Sequence, residues 1–163
     1  MHTRVVTALR LASALLVASA EVYLVVHLGD RLVPANHLSY FTVLSNLYAA
    51  AVLLAGVFGR VPAAVRGAAV LYLAVTGVVY VTMLRGVDVA TPAYANVVLH
   101  AIMPVLVVVD WVLAPPRPPA RLRHAAWWLA FPVLYLGYSL VRGPLVGWYP
   151  TRSSTRPTAG TPA

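Results

Sequence analysis

A hydroxyl beside an imidazole is the smallest pairing able to start an acyl transfer, because the ring can take the proton that makes a neutral hydroxyl a weak nucleophile. Two stretches of this chain could supply it. Ser39-Tyr40-Phe41-Thr42-Val43-Leu44-Ser45-Asn46 sets polar side chains at the start of an apolar segment. Asn96-Val97-Val98-Leu99-His100, followed by Pro104 and Asp110-Trp111, does so in another. Asn46 lies one helical turn after Thr42, and Asn96 one turn before His100. Glu21 and Tyr80 are further polar residues inside apolar segments, where ionisable groups are expensive and face an interior or a pocket. Each residue also has a plainer role. A membrane threonine commonly bonds its own i−4 carbonyl, a lone histidine bridges helices, and asparagines tie helices together. His27, His37 and His100 with Glu21 could be weighed as metal ligands, but their spacing matches no metal motif, so no metal site and no cofactor is expected.

The elements that must position these groups follow from composition. Of 163 residues, 61% are hydrophobic and only 10% charged, too few charges to coat a soluble domain of this size. The composition therefore predicts an all-α, polytopic transmembrane helix bundle with membrane lipids as its surroundings. The net charge of +8 comes with no nucleic-acid-binding pattern and reads as membrane flanks, so no nucleic-acid partner is expected. The twelve basic residues are all arginine, a sign of GC-rich coding, and the absence of cysteine excludes disulfides, thiolate metal sites and a thiol nucleophile.

Five spans are predicted, at residues 4–28, 38–58, 65–84, 93–113 and 124–141, within a bundle covering 1–150. Gly29-Asp30 and Pro34 end the first span, Gly59-Arg60 and Pro62 the second, and Arg85-Gly86 the third. The run Pro115 to Pro119 stops the fourth as a stiff connector, and Arg142-Gly143-Pro144 stops the fifth. The start resembles a signal peptide with Ala18-Ser19-Ala20 as a cleavage site, yet apolar character continues to Leu28 and favours an uncleaved span. Arginine placement sets the orientation. Arg4, Arg10, Arg60, Arg66, Arg117, Arg121 and Arg123 share one side, whereas the other holds Arg31 and Arg85, close to Asp30 and Asp88, and, with five spans, Arg142, Arg152 and Arg156. This predicts a multi-pass protein of the cell membrane with a cytoplasmic N-terminus. Tyr40, Trp111, Trp127, Trp128, Trp148 and Tyr149 fit the interfacial aromatic belt.

In that topology the second and fourth spans run the same way. At about 1.5 Å per residue, Thr42 and His100 lie at depths within about one turn of each other. The first, third and fifth spans bring Glu21, Tyr23 and His27, then Tyr80 and Thr82, then Tyr138 and Ser139, toward the same outer half. Asp110 falls at the opposite end, within reach of an arginine.

Three blocks resemble a known family. Tyr40 to Asn46 is similar to an aromatic-apolar-Thr helix start, Asn96 to Pro104 with Asp110 to an Asn-x-x-x-His block, and Gly147-Trp148-Tyr149-Pro150 to an aromatic Tyr-Pro block. Together, in this order, they resemble small bacterial membrane proteins related to the androgen-induced membrane threonine hydrolases, over most of residues 1–150. The resemblance implies Thr42 as nucleophile and His100 as general base, with Asn46, Asn96, Glu21 and Tyr80 supporting, acting on a lipid ester that enters sideways from the bilayer. In the animal relatives the esters join fatty acids to hydroxy fatty acids, and the spacing between Thr and His is longer there than here. The resemblance also implies a Tyr-Pro-Phe-Leu-Asp-Pro block and a sixth helix. Residues 151–163 are instead polar and lack an apolar face. They are expected to be disordered and to be a frame-shifted reading, because GC-rich codons for Thr151 to Arg156 read one base earlier restore that block; the alternatives are a naturally short member or an unrelated tail.

The expected function is thus a threonine-nucleophile lipid esterase. The alternative is a non-catalytic membrane protein, a partner subunit or apolar-ligand binder, in which the polar cluster serves packing. A transporter is the weakest reading, since no inverted repeat is evident.

Overall fold

The structure, a computed structural model, describes residues 2–84, 91–116 and 122–147. Helix α1 (His2–Leu28) leads through a 3-10 turn, Gly29–Arg31, to the short α2 (Pro34–His37) and then to α3 (Phe41–Phe58). Helix α4 (Ala63–Val79) continues into a π-helical turn, Tyr80–Leu84. Helix α5 (Ala93–Val97), a second π-helical turn at Val98–Ile102, and α6 (Met103–Leu113) form one continuous rod, followed by α7 (Leu122–Val146). The described residues contain no strand, and five helical segments are long and apolar enough to cross a membrane. The protein is an all-α bundle of the predicted class. Exposed side chains such as Val26, Phe58, Val112 and Leu145 give the outer surface the apolar character that lipid requires.

Four spans make the core. Val17, Ala20 and Leu24 of α1 meet Ala49, Val52 and Leu53 of α3, Ala69 and Leu73 of α4, and Met103 and Val107 of α6. Ala20, Ala49 and Ala95 are fully buried at these contacts. Small side chains let backbones approach closely, which matters in lipid because dispersion and hydrogen bonding, not water exclusion, hold helices together.

Helix α7 is attached differently. Among the described residues it contributes no side chain to the buried hydrophobic core. Trp128 lies against Gly67 of α4 so closely that a Cβ there would overlap the indole, and its Nε1 donates to the Ala64 carbonyl at 2.6 Å. Trp128, which the sequence assigned to the interfacial belt, is the anchor of α7, whereas Trp127 is 76% exposed. One correction concerns length. Helix α7 does not stop at 141 but passes Arg142, Gly143 and Pro144 to reach Val146. A proline removes one backbone donor, and in an apolar environment the remaining N–H to carbonyl bonds hold the helix together.

The spans also differ slightly from the predicted 38–58 and 65–84. Leu38 to Tyr40 form a turn before α3, and α4 starts two residues early at Ala63. The Arg85 and Asp88 offset, Arg117 and Arg121, Trp148 to Pro150 and the 151–163 tail lie outside the described residues.

Opposite ends of the bundle carry two polar clusters. At one end Arg10 Nε lies 2.6 Å from Asp110 Oδ1, and Arg66 Nη2 lies 2.7 Å from Asp110 Oδ2. Arg10 Nη1 donates to the Gly56 carbonyl, and Arg66 Nη1 to that of Ala114. These carbonyls belong to the C-terminal turns of α3 and α6, where cations complete the unsatisfied acceptors and complement the helix dipole. Arg66 also lies over the Trp111 ring, 5.6 Å from its centroid. Arg10 and Arg66, read from sequence as flanking charges, are therefore structural: through one carboxylate they tie α1, α4 and α6, and Arg10 adds α3 through the Gly56 carbonyl.

Candidate functional site

The other end holds Thr42. Its hydroxyl lies at the second position of α3, after Tyr40 turns the chain in extended conformation. Ser13, Thr76 and Thr82 each donate to the carbonyl four residues back in their own helix. Thr42 does not follow that pattern: the i−4 residue, Leu38, precedes α3, and the Thr42 Oγ1 lies 3.1 Å from His100 Nε2.

The imidazole is oriented by its own helix. His100 Nδ1 sits 3.1 Å from the Asn96 carbonyl oxygen. A carbonyl can only accept, so in the neutral ring Nδ1 carries the hydrogen and Nε2 presents its lone pair to the threonine hydroxyl. His100 is central in the π-helical turn Val98–Ile102, and the Met103 N–H reaches back five residues to the Val98 carbonyl. Pro104 supplies the local reason, since it has no N–H for the carbonyl of His100 and the helix widens around the missing bond. Helix α4 supports the turn from behind, because Gly77 has no side chain and Pro104 Cβ would stand 3.2 Å from any Cβ placed there.

Tyr80 comes from the other π-helical turn and stacks on the imidazole, with centroids 4.8 Å apart and planes at 26°. Its hydroxyl accepts from Asn96 Nδ2 at 2.9 Å. Asn96 thus holds the histidine through its carbonyl and the tyrosine through its amide. Asn46 is fully buried and donates from Nδ2 to the Thr42 carbonyl at 2.8 Å and the Leu99 carbonyl at 3.1 Å. It fixes the spacing between the helix bearing the hydroxyl and the one bearing the ring. Thr42 and His100 themselves are half-buried, so the pair is not sealed inside the bundle.

Glu21 falls elsewhere. Its Oε2 pairs with His37 Nε2 at 2.7 Å, joining α1 to α2, and among the described residues its Oε1 has no hydrogen-bond partner. His27 stacks on Tyr23. The three histidines weighed together as metal ligands therefore serve three different neighbours, and among the described residues no group of three acidic or histidine side chains converges. Thr82 bonds within its own helix and is not part of the cluster.

Sequence reasoning missed two features of this site. The first is the backbone of Thr42. Phe41 N–H donates to the Tyr135 hydroxyl at 3.1 Å, but no side chain of the N-cap residue takes the N–H groups of Thr42 and Val43. First-turn N–H groups have no intrahelical acceptor, so these two donors stand at the positive end of the α3 dipole beside the Thr42 hydroxyl. The second is Tyr135 of α7, which donates to the Ser39 carbonyl at 2.9 Å; Tyr138, expected toward this half from the fifth span, lies 2.8 Å from the Ser39 hydroxyl. The i, i+3 spacing of Tyr135 and Tyr138 on an otherwise apolar helix was the available signal.

Taken as chemistry, the arrangement has a hydroxyl, an acceptor nitrogen in contact with it, a group fixing the ring's tautomer, and backbone donors beside the hydroxyl. These are the parts that acyl transfer needs. No protein family, curated protein or solved structure matches this chain.

Proposed function

We propose that this protein is an integral membrane hydrolase of lipid esters, with Thr42 as nucleophile and His100 as general base. The observation that carries this reading is the contact between Thr42 Oγ1 and the His100 Nε2 lone pair, whose direction the Asn96 carbonyl imposes through Nδ1. The family resemblance of the three sequence blocks to the androgen-induced threonine hydrolases supports it. So does the half-buried position of the pair on two apolar spans, which leaves it short of full enclosure.

In the first step the Thr42 proton passes to His100 Nε2 as Oγ1 attacks the ester carbonyl. The carbonyl oxygen gains the negative charge, and the Thr42 and Val43 N–H groups stabilise it; each such donor is worth about 10²- to 10³-fold in rate. Collapse breaks the ester C–O bond, and His100 returns its proton to the departing alcohol oxygen. Water, deprotonated by the same Nε2, then attacks the acyl-threonine and releases the fatty acid and the free Thr42 hydroxyl. The protein acts in the cell membrane with its N-terminus and the Arg10–Asp110–Arg66 end toward the cytoplasm, and the Thr42 end toward the outer face.

Labelling with a fluorophosphonate tests the assignment. The purified protein in phosphatidylcholine nanodiscs should be labelled at Thr42, and Thr42→Ala and His100→Ala should each abolish labelling while keeping the wild-type melting temperature within a few degrees. Labelling that persists in both variants, or none in the wild type, would refute the enzyme and leave the pair as a tie between α3 and the α5–α6 rod.

A further inference from the structure

Helix α7 takes almost no part in the core, yet two of its tyrosine hydroxyls reach the turn before Thr42. They do different things there. Among the described residues Tyr138 bonds only the Ser39 side chain, whose hydroxyl already donates to the Ala35 carbonyl. The Tyr135 hydroxyl bonds the backbone on both sides of Tyr40: it accepts from the Phe41 N–H and donates to the Ser39 carbonyl. One oxygen thereby replaces two bonds that the first turn of α3 cannot make for itself. Its ring is seated in an aromatic cluster, edge-on to Phe41 with centroids 5.1 Å apart and 6.4 Å from Phe131. Phe131 in turn stacks on Phe41 and packs against Tyr72 of α4. The hydroxyl is thus held by packing and not by its own hydrogen bonds alone.

By occupying the Phe41 N–H, Tyr135 takes the first donor of α3 out of use and leaves the next two, Thr42 and Val43, as the open pair. By holding the Ser39 carbonyl it also stops that oxygen from turning toward the Val43 N–H, the bond that would extend α3 backwards by one residue. We infer that Tyr135 is a positioning residue for acyl transfer, keeping the Thr42 and Val43 N–H groups free and aimed as an oxyanion hole; this rests on the esterase reading above. It does not touch the substrate, and its effect passes through the backbone of α3.

The test compares an ester with its sulfur analogue. A thionoester carries C=S in place of C=O, and its larger, weaker acceptor gains less from a tightly aimed pair of donors. Wild-type protein in phosphatidylcholine nanodiscs is given p-nitrophenyl octanoate and the matching thionoester. Tyr135→Phe should lower kcat for the ester roughly 10- to 100-fold, short of or just reaching the cost of losing a donor outright. KM should stay within about twofold, the thionoester rate should change little, and the ester-to-thionoester ratio should collapse. That ratio does not depend on how much of the sample is folded, so partial unfolding of the variant cannot mimic the result. Tyr138→Phe removes an equivalent hydroxyl from the same helix and should keep both rates within about twofold of wild type.

Equal losses on the two substrates, or matching losses in Tyr135→Phe and Tyr138→Phe, would show that the tyrosines only dock α7 and would overturn the proposal. A wild type that hydrolyses the ester at Thr42, with Tyr135→Phe indistinguishable from it, would remove the positioning role and leave the esterase standing. A wild type inert toward the ester and toward fluorophosphonate would remove both.

Discussion

Replacing Asp110 by asparagine should be among the most damaging single changes in this protein, although the side chain keeps its size. Asp110 is 3% exposed and lies between two arginines, with Nε of one and Nη2 of the other within 2.7 Å of its two oxygens. The amide cannot satisfy both. One oxygen becomes an NH₂ that points a donor at a guanidinium, and two positive charges are left at an apolar helix end with no counter-charge. Removing one partner of a buried pair typically costs about 3–5 kcal/mol. For a chain of this length each kcal/mol lowers the melting temperature by about 2–4 °C, so a fall of roughly 6–20 °C is expected. Thermal unfolding of the purified protein in detergent, followed by intrinsic tryptophan fluorescence, measures it. Arg10→Gln and Arg66→Gln should each cost less, because Asp110 retains one arginine. The triple variant Arg10→Gln, Asp110→Asn, Arg66→Gln should recover much of the loss, since no buried charge remains unpaired. High salt should not reproduce the effect, because buried pairs are weakly screened. An Asp110→Asn protein melting within 2 °C of wild type would refute the premise that this carboxylate holds α1, α4 and α6 together.

Asn46→Leu removes the amide that bonds both the Thr42 and Leu99 carbonyls; interhelical hydrogen bonds in lipid are worth about 0.6–2 kcal/mol, so a modest loss of stability should accompany a larger loss of fluorophosphonate labelling. Gly67→Val places a side chain where the Trp128 ring lies, and should release α7 from α4, seen as a red shift in tryptophan emission and faster proteolysis between α6 and α7; unchanged emission would contradict the seating of Trp128. Cysteine accessibility tests orientation cleanly because the native chain has no cysteine. With a cytoplasmic N-terminus, Asp30→Cys should react with an impermeant maleimide in intact cells and Arg60→Cys only after permeabilisation; the reverse pattern would invert the topology.

The fold class was legible in the sequence because lipid imposes a one-dimensional rule: a spanning segment must be about 20 apolar residues, whatever it packs against. The five spans, their order and their turns follow from that rule with Gly29, Gly59 and Pro62 as punctuation, and so does the shared depth of Thr42 and His100. The run of α7 through Pro144 was not legible, because a proline is a strong stop in water but a tolerable gap in lipid. Rotation about each helix axis was also out of reach. Depth along a helix comes from counting residues, but the face a side chain occupies depends on which neighbour its helix packs against. That is why Glu21, at a suitable depth, went to His37 instead of His100, and why Arg10 of α1 and Arg66 of α4 closed on Asp110 of α6.

The residue types capable of acyl transfer, and the segments carrying them, were determined by the sequence alone. Only the tertiary structure decided that the hydroxyl meets the lone-pair nitrogen of the ring, that Tyr80 and Asn96 brace it, and that Tyr135 shapes the backbone beside it. The physical reason is that a hydrogen bond is set within a few tenths of an ångström and a few tens of degrees. Residue spacing fixes position only to about one helical turn, and the packing of small side chains at the helix contacts supplies the rest.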